Sequence, residues 1–340
     1  MSGVSTQTQV APASQGVSWR SIAASIGMMP LLLLALIVLF GLLEPRFVSE
    51  ANLFNLTRQS TYLIIVCVAQ FLILITGGID LSVGSNVALV SVVTATVMKY
   101  MLGIDPEAVS WAVTVAIVSG VLTGAGVGLF NGLGVALFRV TPFVMTLGSL
   151  SIASGLALYI SGGYSISGLP EQFGNVLAYD SVYGIPVPIL YAAIIVVLTY
   201  ILLSWTRFGR YFYAIGSNFK AARLSGVRTS LNQVFAYVVA GTIVGIGGVL
   251  LTARTESGEA TLGGTDLILN SIAACLIAGV SLTGGRGLLR NVVMGAIFIT
   301  ALSNGMNLLR VNSYLQTIII GAVLVIAIAV DQMRDSNRNR

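Results

Sequence analysis

The chain of 340 residues is 56% hydrophobic and only 9% charged, with a formal net charge of +5 and a mean hydropathy of +0.94. Ordinary soluble domains carry about 25% charged residues, so this composition indicates a polytopic, all-α membrane protein whose modest positive charge is no sign of a nucleic-acid partner. There is no histidine, and Cys67 and Cys275 both lie in apolar runs. This excludes histidine acid–base chemistry and histidine metal sites, and suggests no disulfide or metal framework.

In chain order, residues 1–21 are polar and Ser/Gln-rich and read as a disordered tail without a clear signal-peptide cleavage site. A helix needs roughly 20 apolar residues to cross about 30 Å of hydrocarbon. Ten segments qualify: 22–43, 60–76, 83–102, 112–135, 142–160, 187–204, 233–251, 267–282, 290–308 and 313–330. Together they define a transmembrane domain over 22–330, followed by a short tail at 331–340. With the N-terminus placed in the cytoplasm, 12 of the 17 basic residues fall inside and nine of the 12 acids outside. The positive-inside rule therefore puts both termini in the cytoplasm. Trp19, Trp111 and Trp205 fall at span ends, as interfacial aromatics do.

The connections are too short for a catalytic domain. Neither lysine follows a glycine, so no Walker A loop is present and any ATP hydrolysis belongs to another polypeptide. An internal echo links "GGIDLSVGSNVALV" from Gly77 to "GGTDLILNSIAACL" from Gly263; a weaker one links Asn131-Gly132 to Asn304-Gly305. The offset is five spans, an odd number, which is the geometry of inverted repeats around a midplane pathway.

Several polar residues in or beside spans are candidates for that pathway. Asp80 stands just ahead of span 3 and reads either as a gate residue or as a helix cap, the cap being favoured. Asn86, Asn131, Asn270, Asn304 and Asn307 suit hydroxylated solutes or hold helices together. Thr141, before Pro142, opens span 5. The glycine clusters 120–134 and 241–248 point to close helix packing.

The loop 205–232 carries five basic residues and no acid. Within it Ser217 or Asn218 can cap a short helix, Phe219–Leu224, that Gly226 ends. Ala221 and Ala222 would let a partner's cleft approach the backbone, with Phe219 and Leu224 as anchors. This stretch, with Gly216, Asn218, Ala221, Ala222 and Gly226, resembles the coupling-helix motif "N-x-x-A-A-x-x-x-G" of ABC-importer permeases. It is joined by "GGIDLSVG", "TPFVMTLGSLSIASGLALYISGG", "FGRYFYAIGSN", "SLTGGRG" and "NGMNLL". Together these resemble the ribose-type sugar ABC permease family over about residues 50–330. The resemblance implies a dimer of ten-span permeases in the bacterial inner membrane. It further implies a cytoplasmic ATPase that binds ATP and Mg, a periplasmic binding protein and a monosaccharide substrate. Two departures stand near the implied pathway. Ile268 lies where the family tends to have an acid, and Ala278-Gly279 where it tends to have Gly-Gly. The rival readings are an ion-coupled secondary transporter using Asp80 and Asp266, and an ABC permease for nucleosides or branched-chain amino acids.

Overall fold

The computed structural model describes residues 28–338. The tail 1–21, Trp19, the first residues of span 1 and Arg340 lie outside the described residues. The principal helices are α1 (Met28–Leu43), α2 (Glu50–Ile75), α3 (Val83–Ile104), α4 (Val109–Ala136), α5 (Pro142–Ser161), the short α6 (Glu171–Gly174) and α7 (Val187–Trp205). They continue with α8 (Arg207–Ser217), α9 (Phe219–Leu224), α10 (Thr229–Thr255), α11 (Gly264–Ile277), α12 (Leu289–Leu308) and α13 (Ser313–Arg338). Seven are long and apolar enough to cross a membrane, and α1, α11 and α13 contain shorter apolar stretches. The ten apolar helices match the ten expected spans. The only strands among the described residues form a two-stranded hairpin, Ser181–Val182 with Ile185–Pro186, in the connection before α7.

Three span boundaries differ clearly from expectation; one is the last, where α13, expected to end at 330, continues as helix through Arg338. The helix expected over 60–76 begins at Glu50, because Ser49 caps it: its hydroxyl accepts from the Asn52 amide at 3.4 Å, and Glu50 sits in the first turn. The helix expected over 267–282 stops at Ile277, since Gly279 takes a left-handed φ of +80° and the glycine-rich "SLTGGRG" follows.

α2 is the central element; every residue from Ile65 to Ile75 is buried. The tightest packing is that of α4 on α10. Gly120, Gly124, Gly128 and Gly132, one every four residues, put a flat stripe on α4 that meets Gly241 and Gly245 of α10. A Cβ on Gly124 would lie 2.5 Å from the Cα of Gly245, so no side chain fits there.

The packing of the first half is echoed by the second. α3 packs on α4 and α5, and α4 on α10; correspondingly α11 packs on α12 and α13, and α12 on α2. Gly77 and Gly263, which begin the two echoed sequences, share the same left-handed backbone, with φ of +83° and +87°. Each follows a central helix and leads a re-entrant segment into the start of the next. The starts of α3 and α11 touch: a Cβ on Gly84 would lie 2.6 Å from the carbonyl oxygen of Gly264. Asn86, one turn into α3, donates to the Gly124 carbonyl at 3.4 Å, near the middle of the 28-residue α4. The two helix N-termini therefore meet at about half the depth of the helical layer.

Candidate functional site

The loop 205–232 is built by local rules. Thr206 caps α8, accepting from the Phe208 and Gly209 amides at 3.2 and 3.5 Å. α8 buries Gly209, Phe212 and Ile215 and exposes Arg207 and Arg210, so it lies with one face on the bundle. Phe208 and Phe212 stack on Phe235 of α10, with ring centroids 4.7 and 6.2 Å apart. Asn218 then ends one helix and starts the next. Its amide donates to Ala214 O at 3.0 Å and its Oδ1 accepts from the Ala221 amide at 2.9 Å. α9 closes as a Schellman turn, with Val227 N donating to Ala222 O and Gly226 N to Arg223 O, both at 3.1 Å, and Gly226 at φ +83°.

One part of the expected surface needs correction. Ala222 is only 6% exposed and packs into its own protein, so it is not part of the outward face. That face consists of Phe219, Lys220, Ala221, Arg223 and Leu224, with Leu224 89% exposed. Successive helical residues lie about 100° apart, and the seating of α9 on the chain puts Ala222 on its covered side and Ala221 on its open side.

Gly216 is not on the outward face either. It forms a weld in which a Cβ would strike Ile75 O, at the end of α2, and the backbone of Gly285. Gly285 N donates to Ile75 O at 2.9 Å, and the Tyr213 hydroxyl donates to Gly287 O at 3.0 Å. The "SLTGGRG" stretch, quoted from the sequence without a stated role, thus joins α8 to the end of α2 and to the α2–α3 re-entrant segment. A rigid displacement of α9 has a direct packed route to that segment.

The pathway candidates separate into groups. Asp80 is buried, and its Oδ1 accepts from the Ser82 amide at 2.8 Å and from the Ser82 hydroxyl at 2.6 Å. Asn131 Nδ2 donates to the same Ser82 oxygen at 2.8 Å. Asp80 and Asn131 therefore meet at Ser82, a hub that sequence reasoning missed and that lies between the two leading glycines and α3. Asp80 acts as the cap of the turn ahead of α3, with Ser82 itself in the N-cap position. Asn86 Oδ1, Asn131 Oδ1 and the Tyr237 hydroxyl have no hydrogen-bond partner among the described residues. Asn304 and Asn52 exchange two hydrogen bonds at 2.9 and 3.0 Å, joining α12 to α2. Asn307 Oδ1 accepts from Gln316 at 2.8 Å, joining α12 to α13. For both of these the geometry is that of helix–helix fastening.

Two of the candidates line cavities. Thr141, with Arg139, Lys220, Arg223 and Arg228, borders a cavity of about 1140 Å³ between α9 and the α4–α5 turn, whose lining includes no carboxylate. Asn270 and Asp266 border a cavity of about 210 Å³ between α11 and α13, together with Ser303, Ser313 and Gln316. Among the described residues no cluster of three metal-ligating side chains occurs.

The family described as the permease component of branched-chain amino acid transport systems matches residues 52–328. The chain belongs to this permease family. The permease is also 35% identical over 303 residues to the D-allose transport system permease of Escherichia coli K12, covering 88% of this chain and 90% of that protein. It is 35% identical over 305 residues to the ribose import permease of Bacillus subtilis 168, covering 89% and 92%. To the galactose/methyl galactoside import permease of Haemophilus influenzae it is 36% identical over 311 residues, covering 88% and 92%. The ribose-type resemblance read from the sequence agrees with these relatives. No solved structure matches the permease.

Proposed function

We propose that this permease is the membrane subunit of an ABC importer that moves a monosaccharide from periplasm to cytoplasm. Two copies would form the translocation unit in a bacterial inner membrane, with both termini cytoplasmic. A periplasmic binding protein would deliver the sugar, and a separate ATPase would bind ATP and Mg. The observation that carries the reading is α9, a short capped helix that leaves Phe219 and Leu224 exposed and is welded through Gly216 to the α2–α3 segment. Closure of the ATPase would push α9, and the weld would pass that displacement to the start of α3, switching the pathway between outward- and inward-facing states.

The family title names branched-chain amino acids, whereas the three relatives are sugar permeases matched over about nine-tenths of the chain. The sugar reading follows those relatives. Uptake of labelled D-ribose, D-allose and D-galactose by cells carrying the complete transporter tests it. Saturable uptake of one of them, lost in Leu224→Glu at normal membrane expression, is the expected result. Uptake of none by the wild type would overturn the sugar reading, and undiminished uptake by Leu224→Glu the coupling reading.

A further inference from the structure

Where the starts of α3 and α11 meet there is a small cavity of about 130 Å³, separate from the two described above. It is lined by four hydroxyl side chains, Ser85, Ser154, Thr261 and Thr265, and by apolar groups that include Leu150 and Ile268. Its walls come from four elements: α3, α5, the segment 256–263 beside α3, and the start of α11, which supplies Gly264, Thr265 and Ile268. That segment is pinned. Gly258 and Ile166 exchange backbone hydrogen bonds at 2.9 Å, and the Glu259 amide donates to the Ser91 hydroxyl at 3.1 Å.

The state of the hydroxyls is informative. Many helical hydroxyls in the bundle are satisfied by the carbonyl four residues back, as at Thr57, Thr114, Thr123, Thr242 and, on α5 itself, Ser151, although Thr94 and Thr96 have no partner among the described residues. Ser154, Thr261 and Thr265 make no such bond among the described residues, and Ser85 spends its proton on Ser82 O but keeps its acceptor capacity. Thr261 and Thr265 are exposed and Ser154 is half-buried, so the cavity opens at the surface of the chain and these hydroxyls are free to meet a polar solute. A solute in the cavity also faces two helix N-termini, of the 22-residue α3 and the 14-residue α11, whose amides donate to oxygen lone pairs and disfavour cations. A neutral ring with hydroxyls on its edge and C–H groups on its faces satisfies the hydroxyls and amides and also packs on Leu150 and Ile268. The volume equals about four waters at roughly 30 Å³ each, the scale of one small sugar ring.

We propose that this cavity is a mid-membrane station for a single neutral monosaccharide, and that Ser154 and Thr265 help to set which sugar it admits. The inference rests on the importer reading above and adds the place in the chain where solute pauses. It is tested with single cysteines at Ser154 and Thr265, in cells carrying the complete transporter, by reaction with a small water-soluble thiol reagent. Cys67 and Cys275 are fully buried and stay in place, so the wild type supplies the baseline. Leu198→Cys, on the exposed side of α7, is the apolar control. The expected result is reaction of Ser154→Cys and Thr265→Cys at least about tenfold faster than Leu198→Cys, since only a wetted site ionises a thiol. One of D-ribose, D-allose or D-galactose should slow that reaction. Reaction no faster than the control would mean a dry cavity and overturn the proposal. Fast reaction that no sugar slows, while the wild type takes up one of them, would overturn the station and leave the importer reading standing. Uptake of none of the three by the wild type would overturn both.

Discussion

The exposed face of α9 makes a quantitative prediction. Leu224 is 89% exposed in the permease alone, so Leu224→Ala should change the stability of the isolated protein by no more than about 0.5 kcal/mol, the usual range for surface substitutions. If the ATPase buries this side chain, the same change removes three carbons from an interface, at about 0.8 kcal/mol each. The loss is then about 2 kcal/mol, or roughly 30-fold in Kd. The assay is titration of the detergent-solubilised permease with its ATPase, run beside thermal unfolding of the permease alone. Weakened binding at unchanged Tm is the expected pair of results. Unchanged affinity would refute the reasoning, because it would leave the most exposed anchor of α9 without a partner. Ala222→Glu should behave in the opposite manner. Its carboxylate would be forced into a site that is 6% exposed, so the isolated permease itself should lose stability.

Other predictions concern the bundle. Gly128→Leu forces a side chain into the α10 backbone and should lower stability by about 1–3 kcal/mol, read as a fall in Tm; a neutral result would contradict the close α4–α10 contact. Asn52→Ala and Asn304→Ala should each cost on the order of 0.6 kcal/mol, and the double variant little more than either alone, because each single change breaks the same paired amides. Asp80→Asn keeps an oxygen for Ser82 and should transport within about threefold of wild type, whereas Asp80→Ala loses the turn; loss of uptake in Asp80→Asn would favour the ion-coupled reading instead. Hydrogen bonds from the Arg46 side chain, at 2.9 and 3.0 Å, hold the Glu44 carboxyl down to about 2 from its ordinary 4.5. Its contribution to stability is full above the ordinary value and is lost as pH falls through about 2, so Glu44→Gln should flatten acid unfolding in that window only.

Much of the architecture was legible because a span is a matter of local composition. Ten apolar runs gave ten helices, and the Asn218 cap and Gly226 stop lie where residue chemistry puts them. Failures came where a decision belongs to tertiary structure. Residues 50–59 look too polar for a span, yet Ser49 and the packing around α2 extend the helix through them. The outward face of α9 depends on how that short helix seats on the rest of the chain, which leaves Ala222 only 6% exposed. Asn304 and Asn307 are polar groups in spans, but only the fold reveals their partners, Asn52 and Gln316. The touching starts of α3 and α11 join Gly84 to Gly264, 180 residues away, and only the inverted echo hinted at it.

The central claim is that movement through this permease is driven by ATP hydrolysed on a separate subunit. Its most direct test is sugar uptake into proteoliposomes that hold the permease with its ATPase and binding protein, with all ion gradients collapsed. Uptake that needs ATP on the α9 side and is lost with Leu224→Glu is the predicted result. Uptake that proceeds without ATP but requires a proton or sodium gradient would contradict the account.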